Sequence, residues 1–74
     1  MKTTKIVRAF FLSDEAARAF VAAPVVCKLP HDEPLEGSCG IIRVAGVDRR
    51  GLRHAVREAA FACHAIRVDT LIIK

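Results

Sequence analysis

The chain has 74 residues, of which 53% are hydrophobic and only 5% aromatic, and its formal net charge is +4. That length allows one domain, 1–74, with a modest core of Val, Ile, Leu, Ala and four Phe; it excludes a deep private cleft, so a ligand is expected on an edge or between subunits. No apolar run approaches the roughly 20 residues that span a bilayer, and Met1-Lys2-Thr3-Thr4-Lys5 lacks the apolar stretch and cleavage site of a signal peptide, so a soluble cytoplasmic protein with no membrane partner is expected.

In chain order, Lys5 to Leu12 is apolar and rich in strand-forming residues and predicts a first strand. Ser13 offers an N-cap, with Asp14 and Glu15 in the first helical turn. Ala16, Ala19, Phe20 and Ala23 then share one helical face, and Pro24 ends the segment. Val25, Cys27 and Leu29 alternate to one side, which predicts a second strand from Val25 to Leu29. The stretch from Pro30 to Gly40 holds two prolines and two glycines and reads as a connection. Ile41 to Ala45 predicts a third strand, closed by Gly46. Asp48 is suited to cap a second helix whose buried face is Leu52, Val56, Ala59 and Cys63, and Ile66 to Ile73 reads as a fourth strand.

The order β-α-β-β-α-β predicts an α+β, ferredoxin-like sandwich: a four-stranded antiparallel sheet with two helices on one face. In that topology the first and third strands are central neighbours, so Leu12 is expected beside Ile41. The turn at Ser13, the loop ending in Cys39 and the helix exit at Cys63-His64 then fall at one end of the sandwich.

Three cysteines, Cys27, Cys39 and Cys63, form no C-x-x-C pair, which argues against a disulfide framework or a structural zinc site. Cys39 is the candidate reactive residue. Ser38 and Gly40 leave its sulfur uncrowded, and the helix N-terminus at Ser13 would favour a thiolate brought near it. Asp32, Glu33 and Glu36, in the same loop, would oppose one. The plain alternative for Cys39 is a small residue at the start of a strand. Cys27 and Cys63 read as buried core thiols on apolar faces, and either would resolve Cys39 as a disulfide if brought close to it. His31 and His64 with a cysteine would suit zinc or copper(I), but the spacings match no compact ligand pattern, so no metal or other cofactor is expected.

The run from Lys28-Leu29-Pro30 through Pro34 and Leu35 to Ser38-Cys39-Gly40 and Arg43, behind a serine-started, alanine-rich helix, resembles the selenium/sulfur carrier-like family of small bacterial domains. The resemblance covers Ile6 to the last strand. It implies a carrier whose Cys39 takes sulfur or selenium from a donor protein, as a persulfide or selenosulfide, and passes it to an acceptor protein. The family shows a proline, one residue and a second proline before the cysteine, whereas here His31-Asp32-Glu33 separates Pro30 from Pro34, and the first helix is about one turn shorter. These departures bear on the identity of the partners.

Arg49, Arg50, Arg53 and Arg57 project within about 100° of one another on the second helix. This basic stripe is a candidate for binding an anion or an acidic partner; its plain alternative is a solvated face offset by Asp48 and Glu58. His54 falls on the outer side of the same helix. The positive charge permits nucleic-acid association, but no aromatic ladder interleaves with the arginines, so nucleic acid is not the expected partner. Of the adjacent Phe10 and Phe11, one is expected under the helices and the other on the open sheet face. That face, with Val7, Phe11, Leu71 and Ile73 available, and Phe61 on the helix predict a homodimer. No phosphate loop, paired carboxylates or aligned Cys–His pair marks a self-contained enzyme. Besides a carrier, the residues leave open a non-catalytic interaction or regulatory module and a small metal chaperone.

Overall fold

Strand β1, Thr4–Phe10, is the centre of the sheet because both of its edges are paired. In the computed structural model, which describes residues 4–34 and 40–73, β1 runs antiparallel to β2, Ile41–Val44, on one side and to β3, Arg67–Ile73, on the other. Register fixes the faces. Val7 lies opposite Val44 and Thr70, and Ala9 opposite Ile42 and Val68, whereas Arg8 lies opposite Arg43 and Asp69. Val7, Ala9, Ile42 and Val44 are fully buried, so alternate residues of β1 divide between core and solvent as the pleat demands.

Three helices build the core on that face. Helix α1, Asp14–Ala22, begins at Ser13, whose hydroxyl oxygen accepts the Ala16 N–H at 3.2 Å and satisfies one orphan donor of the first turn. It buries Ala17 and Phe20, and the Phe20 ring stands 5.2 Å from that of Phe11. Helix α2 spans Pro24–Cys27 and buries Val26; helix α3 spans Arg50–Ala62 and buries Val56 and Ala60. No helix among the described residues is long and apolar enough to cross a membrane.

The expected four-stranded sheet is not formed among the described residues: three strands lie in the order β2-β1-β3, accompanied by three helices. The segment from Val25 to Leu29, expected as a strand, instead supplies the last three residues of α2, Val25 to Cys27, and the turn that follows it. Proline decides the matter. Ala23 is held extended at φ −61° and ψ 139°, as a residue before proline prefers, which ends α1. Pro24 then takes the first helical position, where a missing N–H costs nothing. The N–H groups of Val26 and Cys27 both donate to the Ala23 carbonyl at 2.9 Å. Cys27 is therefore exposed on a helix rather than buried on a strand. Pairing with β2 survives as one isolated bridge between His31 and Val44. On either side of it, the Ala45 N–H donates to Pro30 at 2.8 Å and the Asp32 N–H donates to Arg43 at 3.0 Å.

Smaller corrections follow from the same packing. β1 ends at Phe10 and leaves Leu12 84% exposed; Ala17, not Ala19, faces the core. Arg49 rather than Asp48 occupies the N-cap of α3, with no side-chain cap. The open face also differs from the apolar surface expected, because Val7 and Phe11 are buried in the core. Leu71 and Ile73 do share the open face, opposite Ile6 and Thr4. Beside them, Arg8 makes a bidentate pair with Asp69 at 2.8 and 2.7 Å. The Phe10 ring lies under the guanidinium groups of Arg8 and Arg67, at 5.5 and 5.7 Å. Arg43 likewise holds Asp32, at 2.8 and 3.4 Å. Hydrogen bonds from these arginines keep the carboxyls of Asp32 and Asp69 below their ordinary titration range.

Past the end of β1 the pairing continues: the Phe11 N–H donates to the Gly40 carbonyl at 2.8 Å. Gly40 has φ +68°, and a Cβ built there would lie 2.2 Å from the Phe11 carbonyl oxygen. Only glycine fits. Gly40→Ala is expected to lower stability by at least about 1–2 kcal/mol, from the left-handed backbone alone, read as a lower urea midpoint. An unchanged midpoint would show that the backbone approach at Gly40 is not tight.

Candidate functional site

Two segments meet where β1 leaves for α1. Ser13 caps α1, and the Ile66 N–H donates to the Phe10 carbonyl at 2.8 Å, bringing the exit of α3 alongside. Between the start of α1 and the exit of α3 lies an open concavity of about 400 Å³ lined by Ser13, Glu15, Ala16, Ala19, Ala62, Cys63 and His64. Gly40, fixed to Phe11, stands at the same end of the sheet.

The way α3 ends creates one wall of this concavity. Cys63 is its C-cap, half-buried against the core. The next residue, His64, has φ +66°. Its N–H donates to Phe61 and the Ala65 N–H donates to Ala60, both at 3.0 Å. This pair of bonds is the Schellman closure, in which the left-handed position is ordinarily glycine. An imidazole here carries a backbone cost of about 1 kcal/mol, and strain of that kind gathers at functional sites. The sequence places His64 at the exit of this helix, but with no glycine there nothing signals the left-handed closure.

The candidate residues divide as follows. Cys39 and Ser38 lie outside the described residues, as does Glu36. Gly40 stands at the site end, and the Ser13 hydroxyl oxygen is engaged with Ala16. Asp14 and Glu15 occupy the first turn of α1 and offset its positive pole. Of the loop acids, two are described: Asp32 is held by Arg43, and Glu33 stands 4.0 Å from His31. His31 bridges to Val44, beside the Val7 level of β1, whereas His64 lies next to the Phe10 end. Among the described residues, no three His, Cys, Asp or Glu side chains group as a metal site.

The basic stripe is reorganised by the helix start. Arg49 stands at the N-cap, and the Arg53 guanidinium donates from one nitrogen to the carbonyls of Val47 at 3.1 Å and Asp48 at 3.0 Å, tying down a turn that has no side-chain cap. Arg50, Arg53, His54 and Arg57 line a second groove, of about 360 Å³, with Glu58, Phe61 and Thr70. The imidazole of His54 is 3.5 Å from Glu58. Helical spacing identifies the arginines of this groove, but the contribution of Thr70 depends on the β1–β3 register and has no local signal.

Comparison with protein-family models, with curated proteins and with solved structures finds no match. The resemblance to selenium/sulfur carrier-like domains accordingly rests on the residues that carry it.

Replacing His64 with glycine is expected to raise stability by about 0.5–1 kcal/mol, since the left-handed conformation is then unstrained. Urea unfolding of His64→Gly measures this directly; a loss of stability would mean that the imidazole holds the concavity together more than its backbone strains it.

Proposed function

We propose that the protein carries sulfur or selenium on Cys39, as a persulfide or selenosulfide, between a donor and an acceptor protein. The observation that carries this reading is the fixed backbone at Gly40, the residue that follows Cys39. It is tied to Phe11 at the end of the sheet that also holds the Ser13 turn, the half-buried Cys63 thiol and the His64 imidazole. Further support comes from the loop acid Asp32, which is occupied by Arg43 and does not line the concavity. One electrostatic objection to a thiolate is thereby weakened.

The chemistry is an exchange that needs no outside oxidant. The Cys39 thiolate attacks the outer sulfur of a donor persulfide. A new S–S bond forms on Cys39 as the donor's S–S bond breaks, and the donor thiolate leaves with the electron pair and takes up the proton that Cys39 gave up. Delivery repeats the exchange, with an acceptor thiolate attacking the outer sulfur and Cys39 leaving as thiolate. For selenium the carried atom sits in a Cys39 selenosulfide and moves in the same way. The small sequence neighbours Ser38 and Gly40 suit a sulfur that must be attacked and must attack in turn.

Incubating the reduced full chain with glutathione persulfide, followed by peptide mass spectrometry, tests the reading. The expected result is a gain of one sulfur on the Cys39 peptide, lost in Cys39→Ser and retained in a Cys27→Ser/Cys63→Ser double variant. Sulfur spread evenly over the three cysteines, or no sulfur on Cys39 in the folded chain, would refute the carrier function.

A further inference from the structure

β3 has a neighbour on one side only: among the described residues it pairs with β1, and its other edge carries no strand. An edge of this kind presents a row of unpaired N–H and C=O groups to any extended chain that approaches. Natural edges of such length are normally blunted by charge, proline or a covering element; β3 has charge at Arg67 and Asp69, but its second half, Thr70-Leu71-Ile72-Ile73, has neither charge nor proline, and its last two residues are 58% and 50% exposed.

Above that edge lies the arginine-lined groove. Thr70 faces the helix side of the sheet, opposite Val7, and lines the groove together with Arg50, Arg53, Arg57, His54 and Phe61. Its lining therefore holds three guanidinium groups and an imidazole against the single carboxylate of Glu58. Among the described residues, none of the three arginines has a carboxylate within 4.0 Å, whereas Arg8, Arg43 and Arg67 each do. Positive charge without a carboxylate partner among the described residues, at Arg50 and Arg57 and at the carbonyl-bound Arg53, thus borders the same strip of surface as the unpaired backbone groups of β3.

We infer that this strip binds an extended acidic segment of a partner protein, added as a strand to the outer edge of β3. Backbone pairing to β3 would supply the docking, and side chains at alternate positions of the added strand would enter the groove. The spacing suits this. Arg50 and Arg57 lie about 10.5 Å apart along the helix axis, and alternate side chains on one face of a strand recur every 6.6 Å or so. Carboxylates at three successive alternate positions, about 13 Å from first to last, therefore cover the length of the row of arginines. Phe61, 50% exposed, offers an apolar contact in the same groove.

Two other occupants fit less well. A second copy pairing through its own β3 would bring Val68, Thr70 and Ile72 to the groove, with no carboxylate among them, and would set two rows of arginines along one seam. Asp69 faces the opposite side of the sheet and is held by Arg8. A nucleic-acid backbone would meet the arginines but would leave the β3 backbone groups unpaired. The groove shares no lining residue with the Cys63 concavity, so the inference stands apart from the carrier reading.

The test titrates the isotope-labelled full chain with a synthetic peptide of alternating glutamate and valine, about as long as β3, and follows backbone amide shifts by NMR. The peptide is expected to bind, shifting amides along 67–73, more weakly as salt rises. Arg50→Glu/Arg57→Glu, two exposed helical positions, should weaken it on the order of tenfold or more; Arg53 is left intact because it holds the turn before α3. A peptide of alternating lysine and valine should not bind, and an oligothymidine strand should not shift the β3 amides. No binding of the glutamate peptide up to about 1 mM would overturn the inference, as would equal binding by the lysine peptide or by the charge-reversed variant. Concentration-dependent shifts at β3 without any peptide would assign the edge to a second copy instead, and oligothymidine displacing the peptide from these amides would assign it to nucleic acid.

Discussion

A side chain at position 40 would place its Cβ 2.2 Å from the carbonyl oxygen of Phe11, and this one close approach of two backbones governs much of the molecule. It lets the Phe11 N–H reach the Gly40 carbonyl at 2.8 Å, which continues the β1–β2 ladder beyond Phe10. Because strand side chains alternate, a slip of one residue in that ladder would exchange Val7 and Ala9 with Arg8 and Phe10. The buried face, the arginine-bearing face and the position of the chain as it enters β2 are thus set together. The candidate thiol is the next residue back along the chain.

The two ends of α3 show a related trade between regularity and use. Its N-terminus begins with Arg49 and Arg50 and has no side-chain cap, an arrangement that the helix dipole disfavours; the Arg53 guanidinium compensates by binding the carbonyls of Val47 and Asp48. Its C-terminus closes through a left-handed histidine where glycine would be easier. Each irregular end borders a concavity, one lined by arginines and the other by Cys63 and His64. The middle of the helix, by contrast, buries Val56 and Ala60 without any such expense.

Three strands, the two longer helices and the N-cap at Ser13 are legible in the sequence because each is marked by a strong period or by a specific capping residue. The second expected strand is not, since Val25, Cys27 and Leu29 alternate over too few residues to distinguish a strand from one helical turn. Pro24 carries the deciding information. Taken as the end of one helix, it is also the preferred first residue of the next. The open face escapes the sequence for a different reason: Phe10 and Phe11 face opposite ways, but only packing puts Phe11 inward and only the register brings Arg8 to Asp69. At the candidate site, Cys39 and Gly40 stand out locally through their small neighbours. His64 is placed at the helix exit by the sequence, but its left-handed closure lacks the glycine that ordinarily signals one, and the pairing of Thr70 with the α3 arginines arises from long-range packing, which leaves no local pattern to read.

The most direct test of the central claim is the pH dependence of iodoacetamide alkylation at each cysteine of the native, reduced chain, read by peptide mass spectrometry. Cys27, exposed on α2, serves as the internal reference. The account predicts that Cys39 labels faster than Cys27 at neutral pH, with an apparent pKa below the ordinary thiol value of about 8.5, and that half-buried Cys63 labels slowest. If Cys39 labels no faster than Cys27 at any pH, the sulfur-carrier account is contradicted.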